Sequence, residues 1–309
     1  MPGRPRPLRH SFPEMASSQT HAAAAAPRLG GAWLNWLGIV PFMIFALLFM
    51  ILPMMSLVIG AFQTAEGGFT LGNIAALFTP SIMSAFWVSI KISLASSLIG
   101  AAAGFALALA IIRGGLPEWI RATTLTFSGV ASNFAGIPLA FAFLATLGRV
   151  GVVTFLLNMV GISIYQMGFN LLSSWGLILV YLYFQIPLMV LIIAPAVDGL
   201  KREWGEAAAS LGASNAQYWR MVAFPVLWPS LLGTTILLFA NAFGAVATAT
   251  ALTGSTLNIV PILLFAQIRG DVLHNQNLGY ALALGMILIT GLSNLVYIIM
   301  RQRAERWLK

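Results

Sequence analysis

Six stretches of this chain are too long and too apolar to sit on the surface of a soluble domain. They fall near residues 37–62, 85–112, 123–148, 171–197, 227–252 and 276–300. Each reaches the roughly 20 residues that carry a helix across a hydrocarbon core about 30 Å thick. A segment in that environment must satisfy its backbone internally, so helices are the form these stretches take. Pro41, Pro53, Pro187 and Pro195 lie inside them, where neighbouring helices can satisfy the carbonyls that proline frees. Only 8% of the 309 residues are charged, against about a quarter in a soluble domain. The expected fold is therefore an all-α membrane protein of six transmembrane helices, with little chain left for a soluble domain.

The charges orient it. Thirteen of the sixteen Lys and Arg fall in the N-terminal tail, the 113–122 loop, the 198–226 segment and the C-terminal tail. These segments alternate with the apolar stretches so that all four share one side. The opposite side holds only Arg149 and Arg269, and Lys91 lies within a span. An excess of Lys and Arg marks the cytoplasmic side, so both termini are expected there. The net charge of +8 raises the possibility of nucleic-acid binding. Its distribution in short flanks, without one continuous basic face, points instead to membrane orientation. The chain has no cysteine, which removes disulfides, thiolate nucleophiles and iron–sulfur clusters.

Residues 1–34 carry PGRPRPLR and an alanine run and read as a disordered cytoplasmic tail. Met15, followed by Ala16-Ser17, is an alternative start. Residues 35–300 form the membrane domain and 301–309 a second cytoplasmic tail. On the outer side, an apolar stretch near 151–160 is too short to span and reads as an interfacial helix. The 253–275 segment reads as an outward loop.

The 198–226 segment breaks the apolar pattern with GEAAASLGASNAQYWRMVAFP. Asp198 can cap a helix that runs through Trp204 and Glu206 to Leu211, and Gly212 suits the left-handed residue that ends it. Ser214 stands three residues before Gln217, the spacing of a capping box, and a second short helix follows. Pro225 marks the entry to the fifth span. Trp219 and Met221 offer an apolar anchor to a partner. The plainer alternative is an amphipathic loop resting on headgroups.

Glu206, Ala207, Ala208, Gly212, Val222 and Pro225 match a known pattern: Glu-Ala-Ala, three residues, Gly, nine residues, an aliphatic, two residues, Pro. This resembles the EAA loop of ABC importer permeases of the type I fold. The wider resemblance covers about residues 35–305. The stretch from Asn241 to Thr248, with Leu252-Thr-Gly-Ser after it, is similar to the spermidine/putrescine-type branch, which also includes permeases for ferric iron, aminoethylphosphonate and thiamine. The resemblance implies an inner-membrane permease that forms half of a translocation pathway and couples to ABC ATPase subunits through a helix in this loop. A periplasmic binding protein would deliver the solute, and a second permease subunit, homologous or identical, would complete the pore. No Gly-rich loop ending in Gly-Lys-Ser/Thr is present, so ATP hydrolysis would belong to a separate subunit, and neither cofactor nor metal is implied for this chain.

The remaining polar residues are weighed singly. Lys91 lies in the second span without a carboxylate to pair with; snorkelling to the interface accounts for it better than a relay does. Asn133, Asn241, Gly244 and Thr248 are the candidates for the translocation pathway. Ala240, Gly244 and Thr248 make a small-residue face on the fifth span, which permits close helix contact or a narrow pore lining. For Asn133 and Asn241, hydrogen bonding between helices accounts for the side chains slightly better than a hydrophilic path does. Asp271 and His274 are too few for a metal site. The competing function is a secondary transporter with its own substrate site. It would call for inverted repeats and broken helices with midplane charges, which the sequence does not show clearly. A membrane-embedded enzyme lacks a catalytic constellation.

Overall fold

The computed structural model describes residues 32–269 and 275–305. The tail up to residue 31, Asp271, His274 and the residues from 306 onward lie outside the described residues. The chain is all-α, as expected. Among the described residues, six helical stretches are long and apolar enough to cross a bilayer: Gly38–Ala61, Pro80–Arg113, Ile137–Met159, Ser174–Asp198, Asn215–Phe243 and Gln276–Gln302.

Residues up to Pro53 form one unit and those from Met54 a second. The first contains α1 (Ala32–Ala46), a wide turn at Leu47–Ile51 and the beginning of α2 (Leu52–Ala61). In the wide turn the Leu52 N–H bonds the Leu47 carbonyl, five residues back. Pro53 explains it: proline has no N–H, and its ring crowds the carbonyl four residues before it. The turn widens and the helix continues.

The second unit continues from α2 through a short α3 (Gly72–Ala76) to α4 (Pro80–Arg113). Then come α5 (Glu118–Asn133), α6 (Ile137–Leu147), α7 (Val152–Met159) and α8 (Ser174–Asp198). The 198–226 segment folds as α9 (Arg202–Ser210) and α10 (Asn215–Tyr218). It leads into α11 (Phe224–Phe243), α12 (Val246–Thr253), α13 (Val260–Arg269) and α14 (Gln276–Glu305).

The α4–α8 pair is the spine of this unit. Buried Ser89, Ser93, Ser96, Gly100, Gly104 and Ala108 line one side of α4 at steps of three or four residues. Small side chains let two helix backbones approach closely without lipid-tail interference. The approach is closest at Gly104, where an added Cβ would lie 2.5 Å from the Met189 Cβ and 2.8 Å from the Ile186 carbonyl oxygen of α8. At Gly100 it would lie 2.9 Å from the Cβ of Gln185. Gln185 is fully buried and donates to the Ser96 hydroxyl at 2.8 Å, a polar bond between the two spans.

Two expectations need correction. The third span is not one helix over 123–148: α5 ends at Asn133 and α6 starts at Ile137. Gly136 takes φ 76° and ψ −148°, a backbone open only to glycine, and Pro138 restarts the helix in its first turn. The third apolar stretch thus runs from Ile137 to Met159, beyond the expected end. The fifth span likewise does not continue to residue 252, because α11 stops at Phe243 and α12 begins at Val246. The outward 253–275 loop also contains a helix, α13, and α7 occupies the position expected of the interfacial helix.

Gly104→Ala should lower the thermal-unfolding midpoint of the detergent-solubilised protein, because overpacking a tight contact costs about 1–3 kcal/mol. Gly129→Ala, where an added Cβ meets nothing within 4 Å, should leave it unchanged or raised. Equal midpoints for the two variants would contradict the close α4–α8 approach.

Candidate functional site

The 198–226 segment folds as the expected pair of helices, and its turns have the expected chemistry. Gly212 has φ 78°. The Ala213 N–H bonds the Ala208 carbonyl and the Gly212 N–H bonds that of Ala209, both at 2.9 Å. This is the paired closure of a left-handed helix end, and it fixes the sharp exit from α9. At the start of α10, the Ser214 N–H donates to the Gln217 side chain at 2.7 Å, and the Gln217 N–H donates to the Ser214 hydroxyl at 3.3 Å. The capping box is complete.

Other details differ from expectation. Asp198 does not cap α9; it lies at the end of α8 and pairs with Arg121 of α5 at 2.7 Å. A carboxylate here meets a full positive charge as well as hydrogen-bond donors, and α9 starts four residues later, after Lys201. Arg113, the last residue of α4, donates to the carbonyls of Val197 and Leu200. Two arginines from α4 and α5 therefore fasten the root of the segment where α8 ends. Trp219, expected to face a partner, instead packs with Trp204 and Tyr218 against the buried cluster of Val197, Leu200, Ala223 and Leu227. Met221 and Leu211 remain exposed.

The outward surface of the segment is the face of α9. Glu206 and Ala207 are exposed, Ala208 is half-buried, and Glu206 is held by Arg202 one turn earlier at 3.1 Å. Val222 is half-buried and Pro225 exposed. A second wide turn, Trp219–Ala223, joins α10 to α11, with the Phe224 N–H bonded to the Trp219 carbonyl. It stands in the same relation to Pro225 as the first does to Pro53.

The four pathway candidates gather around the two helix breaks in part. Thr248 of α12 is buried, and its hydroxyl accepts the Gly136 N–H at 2.8 Å. This bond joins the break before α6 to the helix after the other break. Nearby, the buried Tyr181 of α8 donates to the Ala245 carbonyl at 3.3 Å, satisfying a group freed where α11 stops. Asn241 and Gly244 are exposed on the approach to that break. Ala240, Gly244 and Thr248 do not form one helical face, because Gly244 ends α11 and Thr248 belongs to α12. Asn133 is exposed at the end of α5 and bonds the Gly129 carbonyl of its own helix at 2.9 Å. The breaks carry no charged side chain. Gln185 and Ser89 escaped attention as polar residues within spans, because their sequence neighbours are apolar or small. Ser89 accepts the Val260 N–H at 3.0 Å and so anchors the start of α13 to α4.

Lys91 is exposed on α4, with its ammonium 5.1 Å from the centre of the Trp87 ring one turn nearer the start of that helix. Among the described residues no group of three or more His, Asp or Glu comes together.

No protein-family model matches the chain. It is similar to the molybdenum transport system permease protein ModB of Mycobacterium tuberculosis, 28% identical over 191 residues that cover 61% of this chain and 69% of the relative. It is also similar to the spermidine/putrescine transport system permease protein PotC of Haemophilus influenzae, 27% identical over 119 residues, 38% of this chain and 45% of that one. A crystal structure of a bacterial ABC transporter involved in import of the acidic polysaccharide alginate has the same fold. It matches with a TM-score of 0.66 over 90% of this chain and 96% of that chain, at 16% identity. Six spans, this fold and these relatives define a class: the chain is a permease subunit of an ATP-driven ABC importer. It has the type I permease fold and is a multi-pass inner-membrane protein.

Thr248→Val should leave the Gly136 N–H without its partner, at a cost of about 1–3 kcal/mol for a buried unpaired group. Thr248→Ser keeps the hydroxyl and should stay close to wild type in thermal unfolding. Matching midpoints for Val and Ser would show that this bond does not hold the break.

Proposed function

We propose that the 198–226 segment is the element through which a cytoplasmic ABC ATPase moves this permease. One observation carries the reading: α9 presents Glu206 and Ala207 outward while its root is fastened to α4, α5 and α8 by Arg113 and Arg121. A helix both exposed to a partner and tied to two spans, α4 and α8, and to α5 can transmit a displacement into the membrane. Glu206 and the small Ala207–Ala208 surface are the docking contacts, Gly212 makes the turn, and Val222 and Pro225 join the turn to the fifth span. In this reading two ATPase subunits, a second permease subunit and a periplasmic binding protein complete the importer. Asn241 and Gly244 line the pathway on the approach to the helix break. Thr248 contributes by holding the break open to neither lipid nor water.

The spermidine/putrescine-type branch is the finer assignment, supported by the residues from Asn241 to Thr248 and by the likeness to PotC. That branch accommodates solutes of either charge, so it leaves open the kind of solute carried. A secondary transporter gains nothing from the helix breaks, since no charge stands at either.

Glu206→Arg reverses the charge on an exposed side chain and should leave the size-exclusion profile of the permease unchanged. A like charge placed across a docking contact costs several kcal/mol. Copurification with the ATPase and ATP-dependent uptake should therefore each fall by about tenfold or more. Wild-type levels of both would remove the coupling role from this loop.

A further inference from the structure

The outer face holds a cavity of about 490 Å³ between α7 and the 160–173 segment. Its lining includes Arg149, Thr154, Asn158, Ser163, Gln166 and Asn170, and none of its residues is acidic. An adjoining cleft of about 550 Å³ shares Arg149, Tyr165 and Asn170 and continues to Thr256 beyond α12. Arg149 therefore stands between an outward opening and a cleft that leads back toward the helix bundle.

Several features prepare this cavity for negative charge. The Tyr165 hydroxyl donates to the Leu147 carbonyl at the end of α6, at 2.8 Å, which fixes the ring. The Phe169 ring packs edge-on against Tyr165, with centroids 5.7 Å apart. The Arg149 guanidinium lies over that fixed ring, 5.8 Å from its centre. It is exposed and forms no ion pair among the described residues, so its fork of donors is uncommitted. Asn170 uses its side-chain oxygen to accept the Leu172 N–H at 3.0 Å, which leaves its amide NH₂ as the group it can offer. Thr154 is an independent sign. It is 2% exposed, and its hydroxyl oxygen is buried without a hydrogen-bond partner. Buried hydroxyls in folded proteins nearly always have one, and a bound acceptor would supply it.

We propose that this outer-face cavity is a binding site for an oxyanion, with Arg149 as its charged ligand and Thr154, Asn158 and Asn170 as neutral donors. The oxyanion has two possible sources that share this chemistry. One is a small free anion on its way inward. The other is the phosphate of an outer-leaflet lipid, since α7 beside the cavity exposes Val152, Phe155, Leu156 and Met159. The importer reading enters only in calling this face the outer one.

The test uses the full permease chain, purified in a neutral detergent without ATPase, with radiolabelled sulfate as the probe in equilibrium dialysis. Saturable binding is expected at one site per chain. Arg149→Gln should weaken it about tenfold, the loss of one charge-assisted hydrogen bond. Thr154→Val, which keeps the shape and removes the hydroxyl, should weaken it several-fold while the thermal-unfolding midpoint holds or rises. A short-chain phosphatidylglycerol is then added as competitor. Displacement of sulfate in wild type but not in Arg149→Gln assigns the site to a lipid phosphate, and failure to displace assigns it to a free anion. Absence of binding by both probes, or binding unchanged in Arg149→Gln, overturns the proposal. Because the assay needs no ATPase, those outcomes leave the coupling role of Glu206 standing, and a failed Glu206 test leaves this site standing.

Discussion

A backbone amide released from a helix inside a bilayer has no water to bond, and every such group must find a partner within the protein. This chain interrupts two of its spans and pairs several of the groups it frees. Thr248 takes the Gly136 N–H and Tyr181 gives to the Ala245 carbonyl; outside the two breaks, Ser89 likewise takes the Val260 N–H at the start of α13. All three partners are side chains from other helices, so each break becomes a joint between elements far apart in the chain.

The α4–α8 pair is held differently. The two helices lie close along a stripe of serine, glycine and alanine, and the ends that meet the 198–226 segment are linked by arginine. Arg113 grips the last carbonyls of α8, Arg121 holds Asp198 at the same place, and three aromatic side chains of the polar segment pack into the cluster beneath. Trp204, Tyr218 and Trp219 are half-buried against that cluster, so the segment is packed onto the bundle and is not a free appendage.

Much of this could be read from the sequence alone, because the features concerned are local. The six apolar stretches, the left-handed Gly212 and the Ser214–Gln217 capping box each depend on residues within a few positions of one another. What escaped depends on distant partners. Asp198 suits a helix cap, and only the fold brings Arg121, 77 positions away, to compete for it. The breaks at Gly136 and Gly244 pass unnoticed because apolar residues continue through them, and hydropathy does not register a change of backbone direction. Trp219 carries the same signature whether it faces a partner or its own core. Gln185 is conspicuous only once Gly100 and Ser96 are seen beside it.

The two wide turns have a consequence for how sequences of this kind align. A turn that closes five residues back holds one residue more than an α-helical turn. The extra residue is absorbed locally, so the helix on either side keeps its orientation while the count along the chain slips by one. Between Trp219 and Ala223, inward-facing positions before and after the turn therefore follow different numbering frames. A homologue lacking a single residue there would close an ordinary turn and present the same faces. A one-residue gap at this point would mark a change in winding and not in architecture.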